Sequence, residues 1–397
     1  MLSLSAARQL ITTLALPGEP IPVALTEALG LVLAEAVVAD VDLPPFDRAT
    51  VDGLAFRVAD AHAGVALRLI SPKGYRSGDG IEVGPGRAAR VKAGDPLPVG
   101  ADTIVAEPPS KAKRFSLPPN LDLQPGRHIM RRGNWLTAGT PILSAGTRLT
   151  PARVGLLASQ GCTHPICHRR VRVAVAAVGD DLVGPGDAPV LNRERNAANL
   201  AVIAPLLQWG AMPLDLGAVG REGLEGIIHR ALSAQVALIL GPSGGLVSKM
   251  LERVGVNIVF EGVALEPGGA ISYGVARDSL GKVSTHVVHL TSEPLAALAG
   301  VLLLVGPLIA RLQGGDRPLP RLAVWDGTHP RTATFARAIP VRLIHNDDAR
   351  CMAQPLDPFE SANLSSFAQA EALAVLEAKS SQWVSGELVE VIALGRS

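Results

Sequence analysis

The sequence predicts a multi-domain α/β plus β protein. A doubly wound, mostly parallel sheet sits at its centre, with a small β module before it and a β-barrel after it. Three observations predict this. Residues 236–241, VALILG, form a short unbroken apolar run, followed by the loop PSGG and the helix-like SKMLERVG. Strands covered on both faces read as continuous apolar runs rather than alternating ones. From residue 170 to 313 such runs alternate with helical patterns, which argues for parallel strands with helices on both faces. On either side, residues 55–130 and 321–397 carry short strand-like runs punctuated by Gly and Pro, with no convincing long helix.

The central run also suggests chemistry. In open α/β sheets, ligands bind beyond the carboxyl ends of the strands. Glycines there let backbone N–H groups approach a phosphate, and a following helix N-terminus adds a favourable dipole. Gly241, Ser243, Gly244 and Gly245 are therefore candidate anion-cradle residues. The plainer alternative is a tight strand-to-helix turn.

Composition limits the other possibilities. A chain of 397 residues predicts two to four domains. The net charge of +1 gives no basic field for nucleic acid. Aromatics are 3%, too few for base-stacking platforms. Three cysteines without disulfide spacing fit a reducing, cytoplasmic setting. The N-terminus reads as an amphipathic helix with Leu4, Ala7, Leu10, Ile11 and Leu14 near one face, rather than as a secretion signal. The most apolar run, 297–310, has 14 residues and contains Pro307. It is too short to span a bilayer and reads as a buried core helix, so no membrane partner is expected.

Taken in order, residues 1–35 predict two helices broken near 17–22, the second being ALTEALGLVLAEAV. Pro44 and Pro45 then force an extended entry into a loop bearing Asp47 and Asp52. Paired carboxylates there suit a cation or an acid–base pair; turn capping is the alternative. The segment from Pro151 to Gly161 predicts a helix with Pro in its first turn and Gly at its end. Cys162, His164, Cys167 and His168 follow within seven residues. Their spacing matches no standard zinc knuckle, and a strand entry is the preferred reading over a metal site. Residues 314–322 read as a Pro/Gly-rich linker.

Several ordered motifs together resemble one family, the MoeA/gephyrin E-domain group of molybdopterin molybdenumtransferases. LPPFDRATVDGLA is similar to the family's proline-then-FDNSAMDGYA stretch, and KAGDPLPVGADTIVAE to TGAPLPxGADAVVxxE. RRGNWLTAGTPILSAGTRLTPARVGLLASQG resembles RxxGxDxxxGxxLxxxGxxLxPxxIGLLASxG, and RVRVAVAAVGDDL resembles RVxVxxxGDEL. ALEPGGAISYG stands where AxKPGKPxxFG is expected, and HLTSEPLAAL where GLPGNPVSAL is. LSSFAQAEALAVLE and GELVEV resemble a serine-containing loop and a GExVxV strand. The resemblance covers nearly the whole chain.

It implies an elongated, L-shaped four-domain subunit. Residues 1–45 with 135–168 would form the N-terminal helical or linker domain that makes the dimer. Residues 46–134 would be the inserted β module, 169–316 a MoaB/MogA-like domain that binds molybdopterin, and 317–397 the C-terminal barrel. It implies a homodimer that inserts molybdate into adenylylated molybdopterin and releases AMP, with Mg²⁺. Other cofactor-biosynthesis proteins or a molybdoenzyme are implied partners. Asp52 resembles the family's catalytic carboxylate and a possible Mg²⁺ or molybdate site; Asp47 and Asp181 would share the catalytic role. Asp180, Gly241, Ser243, Gly244, Gly245, Ser292, Pro294, Ser365 and Ser366 would contact the pterin ligand.

Asp102 and Glu107 also keep the pattern, but departures concentrate where anions would bind. Ala93 replaces a threonine, and Asn134 and Trp135 replace an acid. Arg221 or Glu222 falls where another acid is expected. Pro242 enters the glycine loop, and Lys249 falls near its acid. Glu266 to Ala270 replaces KPGKP, so both lysines are gone. Thr291, Ser292 and Glu293 replace PGN. Two unit charges at 4 Å interact by roughly 4 kcal/mol at intermediate dielectric. Pro242 also removes an N–H. The expectation is a divergent member with lost or altered insertion chemistry that binds a molybdopterin-type ligand or a partner; the alternative is an active transferase.

Overall fold

The computed structural model describes residues 1–61, 65–70, 80–106, 113–116, 123–315, 321–329, 334–345, 350–356, 367–378 and 382–395. The chain packs as two units. One comprises Met1–Ala34, Gly146–Pro151 and His164–Ser397; the other comprises Glu35–Ala145 and Ala152–Thr163.

The first unit is built on a six-stranded sheet. Its order is Met212–Val219, Arg172–Val178, Val236–Leu240, Val283–Leu290, Ser272–Arg277, Asn257–Glu261. The first four strands are parallel; Ser272–Arg277 runs against both of its neighbours, so Asn257–Glu261 again runs with the first four. The apolar run is thus an interior strand, and all five of its residues are buried. Side chains alternate across a strand. Val236, Leu238 and Leu240 accordingly join one core, and Ala237 and Ile239 the other. Leu224–Ala231 and Leu246–Arg253 cover the second face through Leu224, Ile227, Val247 and Leu251. The first face is covered by Ala198–Gln208, by Pro294–Leu312 and by Leu4–Leu14, which buries Leu4, Ala7 and Ile11.

Pro294–Leu312 runs 19 residues, longer than the apolar run suggested. It is long and apolar enough to cross a membrane, yet 78% of it is buried inside the fold. Pro307 does not end it. A π-helical turn at Val301–Val305 precedes a new segment, Gly306–Leu312, with Pro307 in its first turn. Pro307 has no N–H for the Leu303 carbonyl four residues earlier, and that carbonyl accepts Arg8 Nε at 3.0 Å instead.

Residues 23–36 correct the expectation of a second helix. They form turns and isolated bridges, Val32 with Arg148 and Leu33 with Cys167. Leu31, Val32 and Leu33 are all buried. Three consecutive buried residues do not fit one face of a surface helix, so tertiary pairing overrides helix propensity.

The C-terminal strands close a five-stranded barrel. Ala336–His345 pairs with Cys351–Pro355 and Ala372–Leu376, while Arg321–Trp325 pairs with Cys351–Pro355 and Leu388–Ala393. Leu388–Ala393 and Ala372–Leu376 complete the ring. Trp325, fully buried, fills its interior with Val341, Ala353 and Leu376.

The second unit holds the small β module. Its five-stranded sheet runs Thr103–Ala106, Gly53–Phe56, Arg87–Val91, Ala66–Ile70, Arg114–Ser116. The predicted helix forms as Pro151–Ser159, and Gly161 leaves it at φ +71°.

Candidate functional site

In the second unit the acidic loop ends at Gly53, the first residue of an inner strand. A Cβ at Gly53 would lie 2.1 Å from the Val105 carbonyl oxygen, so only glycine lets the strands close here. Asp52 sits exposed at this junction. One of its oxygens accepts the Ala93 N–H at 2.8 Å. The residue that replaces the expected threonine therefore still contacts Asp52 through its main chain.

Asp47 is held differently. Its carboxylate accepts Arg131 Nη1 at 2.6 Å and the Arg132 N–H at 2.7 Å. Burial works to raise its pKa, but these two donors outweigh it and hold the group below the usual carboxylate range. Asp42, which sequence reasoning missed, accepts the Ala138 N–H at 2.7 Å and pairs with the Arg132 guanidinium. Those contacts lower its pKa too. Asp42 and Asp47 thus tie the loop 131–138 to the loop 42–53. Asp102 accepts the Val58 N–H at 2.7 Å and serves the module's own structure. Glu107 lies outside the described residues.

In the first unit, three neighbouring parallel strands deliver the remaining candidates to one sheet edge. Arg172–Val178 ends in Gly179, Asp180 and Asp181. Val236–Leu240 ends in residues 241–245. Val283–Leu290 ends in Thr291, Ser292, Glu293 and Pro294. Gly241 donates its N–H to Leu290 O at 2.9 Å. A Cβ there would meet Val247 and Val178 at 3.2 and 3.3 Å. Gly244 and Gly245 have φ of +125° and +86°, and Gly245 caps Leu246–Arg253. Positive φ suits glycine, and it turns the chain so that Ser243 and Gly244 stand exposed beyond the strand end.

The carboxylates of this crest are largely occupied. Asp180 accepts the Arg221 N–H at 3.0 Å and pairs with its guanidinium at 3.4 Å. Asp181 is exposed, and its carboxylate oxygen lies over Gly179. Glu293 accepts the N–H groups of Leu295 and Ala296 at 3.0 and 2.6 Å, capping the long helix. Glu266 pairs with Arg337 at 2.8 Å. Both replacement glutamates are thus met by local donors, and Arg221 serves Asp180 rather than either of them. Lys249 is exposed on the helix behind the loop.

Sequence reasoning also missed a buried polar chain beneath the crest. Ser248 Oγ lies 3.4 Å from Ser272 Oγ, which lies 3.2 Å from His289 Nδ1. His289 Nε2 is buried with no hydrogen-bond partner among the described residues. Burial lowers its pKa, against the Gly241 main chain and Glu261, which favour the charged ring. No local sequence signal marks this chain, because its members come from three elements. Ser365 and Ser366 lie outside the described residues. The described residues bring no metal-holding group of His, Cys, Asp or Glu together. Cys167 is buried in the strand Ile166–His168, and His168 Nδ1 lies 3.0 Å from Gly18 O.

A mostly parallel sheet with a glycine loop at its crest, a β module carrying an acidic loop and a closed barrel define a multi-domain α/β plus β protein. Residues 2–161 match the model of the MoeA N-terminal region (domain I and II), and residues 329–394 that of the MoeA C-terminal region (domain IV). The chain is 28% identical to the molybdopterin molybdenumtransferase of Bacillus subtilis (strain 168), over 95% of this chain and 90% of the relative. It is 29% identical to molybdopterin molybdenumtransferase 1 of Mycobacterium tuberculosis (strain ATCC 25618 / H37Rv), covering both chains fully. Its fold matches the crystal structure of a molybdopterin biosynthesis MoeA protein from Pyrococcus horikosii, with TM-score 0.83, 23% identity and full coverage of both chains. The chain belongs to the MoeA family.

Proposed function

We propose that this chain acts in molybdenum cofactor biosynthesis. It binds molybdopterin or its adenylylated form, and its molybdate-insertion chemistry is altered from that of its relatives. The observation that carries this reading is the crest at residues 241–245. Its left-handed glycines and exposed Ser243 form a main-chain anion cradle against a helix N-terminus. Both motif lysines are absent, and Pro242 supplies no N–H. The cradle therefore rests on fewer donors, and the ligand binds through main chain rather than ammonium groups.

A second reading, an active molybdopterin molybdenumtransferase, is favoured by one observation. Glu266 and Glu293 are engaged by Arg337 and by helix N–H groups, so neither projects an uncompensated charge. In this reading Asp52, whose second oxygen has no partner among the described residues, takes the incoming Mg²⁺ or molybdate chemistry, with Asp47 and Asp181 in support. The protein works as a homodimer in the cytoplasm in both readings.

The test is AMP release by purified protein given adenylylated molybdopterin, molybdate and Mg²⁺, alongside calorimetric binding of molybdopterin. Binding without AMP release supports altered chemistry. AMP release that Asp52→Asn reduces at least about 100-fold supports the active enzyme. Neither binding nor release sinks both.

A further inference from the structure

Aromatic residues are scarce in this chain, with 4 Trp, 2 Tyr and 7 Phe. Most of the Trp are covered: Trp325 is 0% and Trp383 9% exposed, and Trp209 is half-buried. Trp135 is 61% exposed. Leaving an indole in water forgoes a large burial gain, so its placement needs a reason. It lies in the loop 131–138, beside the residues that bind Asp42 and Asp47. The Trp135 main-chain N–H donates to Leu43 O at 2.8 Å, which fixes the residue's backbone to the start of the acidic loop.

The Arg48 guanidinium lies over the indole, with its carbon 4.5 Å from the ring centroid. Arg48 is held by the pairing of Arg48–Ala49 with Ile129–Met130 and reaches Met130 Sδ at 3.6 Å. A cation over the indole favours this ring orientation about two- to fivefold, or about 0.5–1 kcal/mol, at an exposed site. The ring therefore stands pre-set and exposed in the same pair of loops that carries Asp47 and Asp52. Phe46, 42% exposed, adds a second aromatic to those loops.

We propose that Trp135, braced by Arg48, is a stacking platform for one flat heterocycle, a purine or a pterin, of the ligand whose chemistry Asp52 serves. One exposed indole suits a single ring; the low aromatic content rules out a row of them for a nucleic-acid strand. The Arg48 guanidinium favours a ring tied to a phosphate. The inference rests on the reading under Proposed function and adds a specificity-determining residue to it.

The test uses full-length protein and indole fluorescence. AMP and pterin-6-carboxylate are titrated separately, with ribose 5-phosphate as the ring-free control. At least one ring-bearing probe is expected to quench the emission, and which one does so names the ring. Trp135→Ala should abolish that quench and weaken binding about tenfold or more, while Trp135→Phe recovers part of the affinity. Arg48→Ala should weaken it about two- to fivefold. Trp135 is exposed, so Trp135→Ala should melt as the parent does.

Unchanged affinity in Trp135→Ala overturns the proposal, as does quenching by ribose 5-phosphate equal to that by the rings, or no quench by either ring. Conversion of a dimer to monomer by Trp135→Ala, with emission insensitive to both probes, also overturns it and makes the indole a contact between copies. Trp135-dependent quenching without molybdopterin binding or AMP release would leave the platform standing and remove the broader reading. AMP release with unchanged ring affinity in Trp135→Ala would do the reverse.

Discussion

The acidic loop of the β module and the crest of the parallel sheet differ in what their carboxylates hold together. In the acidic loop each carboxylate ties one loop to another through an N–H and a guanidinium: Asp42 takes the Ala138 N–H and Arg132, and Asp47 the Arg132 N–H and Arg131. At the crest, Glu293 caps its own helix through two N–H groups, and Asp180 takes both the N–H and the guanidinium of Arg221. The first arrangement fixes charges while leaving Asp52 exposed. The second engages Glu293 and Asp180, while Asp181 and the glycine loop stand exposed. Under the proposed function, the replaced lysines matter less for net charge than for the number of donors a ligand meets.

The sharpest way to break this comparison is at Gly53, where strand closure positions Asp52. Gly53→Ala puts a methyl against the Val105 carbonyl at 2.1 Å. We expect a loss of about 3 kcal/mol in denaturant unfolding. A loss under 1 kcal/mol would show that the acidic loop is not tied to that strand pair.

Acid should act next, and through the sheet before the loop, whose Asp42 and Asp47 lose their contribution only at lower pH. His286, bonded to the Tyr273 hydroxyl at 2.8 Å, has its pKa pushed by burial from 6.5 to about 4. The unfolded chain takes up a proton that the folded chain refuses. Stability is therefore complete above about pH 6.5 and falls as the pH drops towards about 4, by about 3 kcal/mol in all. His286→Gln should reduce that slope, His289 with its lowered pKa supplying part of the rest, and an unchanged profile would assign the acid sensitivity elsewhere.

A smaller effect is expected at Glu293. Glu293→Ala removes the helix cap and should cost about 1 kcal/mol. If ligand affinity instead rises with no loss of stability, the carboxylate faces the ligand rather than the helix. The smallest effect belongs to Arg221→Ala. Its pair with Asp180 is 73% and 63% exposed, so thermal stability should move by less than about 0.5 kcal/mol.

Much of the crest was legible in the sequence, because its signals are local. VALIL reads as an interior strand since both of its faces are apolar, and Gly244 and Gly245 announce positive φ within a few residues. The acidic loop was legible only in part. Asp47 and Asp52 stand out beside Pro44 and Pro45, but Asp42 and its Arg132 lie 90 positions apart, and no spacing rule joins them. The second predicted helix failed for a related reason. Residues 24–37 have helical composition, yet Val32 and Leu33 find partners at Arg148 and Cys167.

By itself, the sequence determined most of the order of elements, the mostly parallel sheet, the barrel and the family motifs. Those follow from hydrophobic period and turn chemistry, which act over neighbouring residues. Only the tertiary structure decided which charges are spent. Glu266 lies 71 positions from the Arg337 that neutralises it, and Trp135 lies 87 from the Arg48 that braces it. An ion pair or a stacked ring is a fact of distance in space, and hydrophobic patterning along the chain does not encode it.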